Sequence, residues 1–130
     1  MSNGILKIVF GLFLVAHGLI HASYGSPAPA PKPGAPEWPF VLTRSWILTP
    51  LGLNATVTQA IGTGLWILTA AGYVLAGLGF LGVPVLQHVW QPLTIAASIT
   101  SLLLLVLFWH LWLVLGIIID VALLVWVMRG

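Results

Sequence analysis

The chain contains no cysteine, which closes it to disulfide scaffolds, thiolate metal sites, iron–sulfur clusters and thiol redox chemistry. Charge is almost as scarce: four basic and two acidic residues make up 5% of the 130, against roughly a quarter in soluble chains. A surface so poor in charge would leave large apolar patches in water, and a water-soluble fold is excluded. The cations Lys7, Lys32, Arg44 and Arg129 stand singly, which excludes the clustered basic footprint of a nucleic-acid binder. Carboxylate pairs, nucleophile–base–orienter sets and phosphate-cradling loops are also missing, so the chain reads as non-catalytic on its own rather than as an enzyme.

What remains is apolar, at 60% of all residues. A bilayer core takes about 20 mostly apolar residues per helix, and four runs qualify: about Ile5–Ser23, Thr56–Leu81, Leu86–Phe108 and Leu111–Met128. The expected fold is all-α, a single integral-membrane domain over residues 1–130 built as an up-down-up-down four-helix bundle. A cleaved signal peptide ending near Ser23 is the alternative for the first run, but that run is long enough to span. Lys7 reaches the headgroups by snorkelling. Small residues crowd the second run, and Gly72 with Ala76 has the spacing that lets membrane helices approach closely. Pro92 stands in the first turn of the third run or kinks it. Trp90, Trp109, Trp112 and Trp126 fall near run ends, where amphipathic rings settle at the membrane boundary.

Residues 24–55 separate the first two runs. Prolines at 27, 29, 31, 33, 36 and 39 remove backbone donors, and residues 26–39 are expected to form an extended, accessible, polyproline-like loop. The stretch 40–55, with Arg44, Trp46 and Pro50 inside it, is too interrupted to span and is expected in the interface. Four spans put both termini on one side, and the cations tie at two per side. Lys7, directly beside the first span, favours cytoplasmic termini with residues 24–55 on the outer side.

Asp120 is the most informative residue. It sits inside Gly-Ile-Ile-Ile-Asp-Val-Ala-Leu-Leu, where an ionisable group costs roughly 2.5 to 3.5 kcal/mol if it faces lipid, and an inward position with a partner is expected. With alternating spans, His17 and Ser98 lie about 18 Å from the terminal side and Asp120 about 14 Å, with Thr69 near the same level. The expected site is therefore a mid-membrane polar layer of His17, Thr69, Ser98 and Asp120. Helical phase adds two stripes, Thr58-Gly62-Thr69-Tyr73 and Thr94-Ser98-Ser101, each on one face of its helix. Such a layer either fastens the bundle, at under about 1 kcal/mol per contact, or relays protons or holds a quinone head group.

His17, His21 and His110 are the candidate ligand-binding residues. His17 and His21 share a face at i and i+4, but a metal needs further ligands, and no Cys, Glu or second Asp lies at that depth, so no metal is expected. A haem between His21 and His110, both approaching the loop side, is the remaining cofactor possibility besides quinone.

The residues GLFLVAHGLIH (11–21) resemble the first helix of DoxX-like small membrane proteins, where an apolar run leads into a His-Gly pair. GTGLWILTAAGYVLAGLGFLG (62–82) resembles the glycine-spaced second helix of that group, whose length and four-span layout are also similar. Two features depart from it: Gly18 is followed by Leu-Ile-His where a basic residue is usual, and the proline-rich insertion is additional. The resemblance implies a four-helix membrane subunit, in some members associated with quinone-linked sulfur oxidation or redox defence. The function expected is that of an accessory or structural subunit, embedded in lipid and joined to a protein partner or a second copy, with no resident cofactor. Its rival is a redox or transport component in which His17 and Asp120 move protons or bind a quinone.

Overall fold

A computed structural model describes residues 3–130. Among them are four α-helices and no strand: α1 Asn3–His21, α2 Ala55–Phe80, α3 Trp90–Leu107 and α4 Val114–Met128. Short 3-10 turns extend α1 (Ala22–Gly25) and precede α3 (Leu86–His88) and α4 (Leu111–Leu113). With these turns, all four are long and apolar enough to cross a membrane.

Local chemistry sets the helix ends. The Asn54 side chain accepts from the Val57 amide at 2.9 Å and satisfies one of the orphan donors at the start of α2. That helix stops before Gly82, whose φ of 101° suits only glycine. Pro92 falls in the first turn of α3, where a missing donor costs no helical bond.

Burial is inverted relative to a soluble bundle. Leu12, Leu19, Ile20, Leu68, Leu103 and Ile118 point outward, whereas His17, His21, Thr58, Thr69, Thr94, Ser98, Ser101 and Asp120 are buried. An apolar exterior around an interior that mixes polar groups with apolar clusters suits lipid as solvent.

The helices pack in chain order, α1 on α2, α2 on α3 and α3 on α4, while α1 and α4 meet chiefly through side chains. Glycine makes the first contact possible. A Cβ on Gly18 would lie 2.9 Å from both the Ala70 carbonyl oxygen and the Tyr73 Cβ, and one on Gly77 would lie 2.7 Å from the Gly11 oxygen. Gly11 thus meets Gly77 and Gly18 meets the Ala70–Tyr73 turn, a pairing that sets His17 against Tyr73.

Residues 26–37 are exposed, but the accessible stretch is shorter than the composition suggests: Trp38 is half-buried and Pro39 buried. Beyond them the chain folds back onto the bundle. Phe40 packs edge-on against Tyr24 at 5.0 Å, and Leu42 joins Leu104, Leu105, Phe108 and Leu113 in an apolar cluster. Ser45 Oγ donates to the Leu107 carbonyl at 2.5 Å, and Trp46 Nε1 donates to the Val106 carbonyl at 2.6 Å. Both carbonyls belong to the last turn of α3, which has no intrahelical donor for them. An exposed ion pair joins Arg44 to Glu37.

Candidate functional site

Every helix sends a polar side chain to one point in the interior. His17 and His21, one turn apart on α1, share a face because i and i+4 residues do. Tyr73 comes from α2, Ser98 and Ser101 from α3, and Asp120 from α4. All of them are buried, with Tyr73, Ser98, Ser101 and Asp120 showing no accessible surface.

Asp120 is the hub. Its Oδ1 lies 2.9 Å from His17 Nε2 and accepts from the Tyr73 hydroxyl at 2.6 Å, while its Oδ2 lies 2.5 Å from Ser101 Oγ. Ser101 Oγ also lies 2.7 Å from His21 Nε2, and His21 Nδ1 lies 3.0 Å from the His17 carbonyl. Ser98 Oγ stands 2.9 Å from the Tyr73 hydroxyl. The imidazole of His17 meets the Tyr73 ring edge-on at 4.8 Å and that of His21 at 5.1 Å, and Phe13 stacks on it at 5.8 Å and 11°. Side chains from four helices therefore fix the rotamer of each group.

The proton inventory follows from which atoms can donate. The His17 carbonyl only accepts, so His21 Nδ1 carries hydrogen. Tyr73 spends its single proton on Asp120, so Ser98 donates to Tyr73. Ser101 also has one proton but two close neighbours, Asp120 Oδ2 and His21 Nε2. If Ser101 donates to Asp120, His21 Nε2 must donate to Ser101, making His21 an imidazolium beside a carboxylate. If Ser101 donates to His21, Asp120 Oδ2 must donate to Ser101, making Asp120 a neutral acid beside a neutral imidazole. A neutral His21 beside an ionised Asp120 would face two lone pairs at hydrogen-bond distance. With His17 as a neutral donor to Asp120, both satisfied arrangements carry no net charge, and they differ only by a shift of protons along Asp120–Ser101–His21.

Of the residues singled out in the sequence, His17 and Asp120 touch directly, and Ser98 joins them through Tyr73. Thr69 is buried but stands outside the cluster: its hydroxyl donates to Thr100 at 2.9 Å. His110 is not brought to the other histidines. It is half-buried between α3 and α4, where its Nδ1 accepts from the Trp112 amide at 3.1 Å and caps the short turn. Tyr73 and Ser101 were signalled only as members of the two polar stripes. Ligand atoms of His17, His21 and Asp120 lie within 4.8 Å of one another. Two imidazoles and a carboxylate match the preferences of a divalent transition metal, and such an ion would have to displace the protons that now join them.

Compared with family profiles, with characterised proteins and with solved structures, the chain matches none.

Proposed function

We propose that this is a proton-handling component of a redox or transport system in the membrane, with the Asp120–Ser101–His21 chain as the element that holds and shifts the proton. The observation that carries this reading is the position of Ser101 Oγ, at 2.5 Å from a carboxylate oxygen and 2.7 Å from an imidazole nitrogen. A hydroxyl between an acid and a base passes a proton by giving up its own as it takes another, with no movement of heavy atoms. His17 and Tyr73 hold Asp120 by its other oxygen and keep Oδ2 aimed at Ser101. A clasp between helices would need only one such bond, at under about 1 kcal/mol in membranes; here four helices converge on one carboxylate.

In this reading the four spans alternate up and down, the termini face the cytoplasm and residues 24–55 lie outside, bringing His21 toward the outer surface. The DoxX-like resemblance of residues 11–21 and 62–82 agrees with a redox-linked membrane subunit. The reading is tested with purified protein in vesicles that enclose a pH-sensitive dye, under an imposed potassium diffusion potential. Proton entry is expected above that of empty vesicles, and Asp120→Asn is expected to abolish it while remaining folded. Entry no faster than in empty vesicles, or an unchanged rate in Asp120→Asn, would reduce the cluster to a fastener and leave the accessory-subunit reading.

A further inference from the structure

Although α1 and α4 touch through Phe10 and Trp126, a groove of about 1110 Å³ opens between them at the end of the bundle that carries the termini. Its walls are aromatic. Phe10 lies 5.0 Å from Phe80 and 4.6 Å from Trp126, and Trp126 lies 5.7 Å from Trp90. Phe13 closes the deep end, where its other neighbour is the His17 ring. From Lys7 to Phe13 the groove runs about 9 Å along α1, at 1.5 Å per residue. The mouth is polar, formed by Asn3, Lys7, Gln87 and His88.

Lys7 is the exposed charge at that mouth, its Nζ reaching over the Gly82 turn. The chain has only two acidic residues. Asp120 is buried in the cluster and Glu37 is paired with Arg44 on the loop at the opposite end of α1. Lys7 thus has no acidic side chain to pair with among the described residues. A second copy lying alongside in the same orientation would present no acidic side chain there either.

We infer that the α1–α4 groove binds one membrane lipid with an anionic head group, its head at Lys7 and its acyl chain among Phe10, Phe13, Phe80, Trp90 and Trp126. The groove is slightly larger than the roughly 300 to 1,000 Å³ of drug-sized pockets, and its apolar body with one charged end has the polarity of an amphiphile. The basic residue at the boundary supplies the charge preference, on the order of fivefold for one lysine. The site is independent of the proton chain and stands or falls separately from it.

Native mass spectrometry of the detergent-purified protein, titrated with phosphatidylglycerol or phosphatidylcholine of identical acyl chains, tests it. The protein is expected to retain one phosphatidylglycerol about fivefold more tightly than phosphatidylcholine. Lys7→Gln, at an exposed position that leaves folding intact, should equalise the two. Ala122→Trp, which fills the groove from α4, should lower retention of both. Equal retention by the unmodified protein, an unchanged preference in Lys7→Gln, or a stable dimer that excludes both lipids would each overturn the assignment.

Discussion

The interior cluster separates groups whose loss strands a partner from groups whose loss does not. Ser101→Ala leaves Asp120 Oδ2 and His21 Nε2 both unpaired, and should cost about 1 to 3 kcal/mol. Thr69→Val removes a bond to Thr100, whose hydroxyl still has the Ala96 and Ala97 carbonyls; it should cost about 0.6 kcal/mol, the average for such bonds in membranes. Asp120→Asn is the informative replacement. Its oxygen can accept from His17 and Tyr73 while its amide donates to Ser101, reproducing the neutral-acid arrangement without an exchangeable acid. Stability should be nearly unchanged, whereas Asp120→Leu strands the His17 Nε2 donor and takes an acceptor from Tyr73 and Ser101, and should cost about 1 to 3 kcal/mol. Unfolding in mixed micelles followed by helical circular dichroism measures all four; a Ser101→Ala no costlier than Thr69→Val would deny the bridge its energetic role. Much of this site was legible in the sequence, because an aspartate in an apolar run must turn inward and helical rise fixes its depth. The bridge was not. Ser101 on α3 and Thr69 on α2 are both small hydroxyl residues on inward stripes, and only the rotations of α2 and α3 against α4 decide that one reaches Asp120 and the other does not.

The helices themselves were legible because a span declares itself by length and apolarity alone. The reach of the segment after the prolines was less so. Ser45 and Trp46 bond carbonyls 62 and 60 residues away, a contact without periodicity or local motif to announce it. They tie residues 40–46 to the end of α3, whereas residues 26–37 touch little. Trp46→Phe, which keeps an aromatic ring and loses the donor, should therefore cost about 1 kcal/mol, while removing residues 28–35 should leave the midpoint of unfolding almost unmoved. A large loss on shortening the loop would mean that it packs where the structure leaves it exposed. The third apolar run also differs from one continuous helix. Val85, at φ 69°, turns the chain in a conformation strained for a β-branched residue, and Leu86–His88 forms a separate turn before α3 begins. Glycine there removes the strain but adds freedom to the unfolded chain; Val85→Gly should leave stability unchanged or raise it, by up to about 1 kcal/mol.

At the scale of the molecule, α1 and α4 border an open groove at one end, and the same two helices are joined deeper in by His17 and Asp120. One interface thus holds both an apolar groove and the buried hydrogen-bonded cluster, separated by the stacked rings of Phe13 and His17. On the proposed function, the cluster's charges cancel with one proton shared between Asp120 and His21 through Ser101. Solid-state NMR of the protein in lipid near neutral pH, with ¹⁵N-labelled histidine and ¹³C-labelled aspartate, reads that proton most directly. The expected result is a His21 imidazolium with an Asp120 carboxylate, a neutral His21 with an Asp120 carboxylic acid, or their exchange average, and in Asp120→Asn a neutral His21 protonated at Nδ1 alone. A neutral His21 beside an ionised Asp120 in the unmodified protein would contradict it.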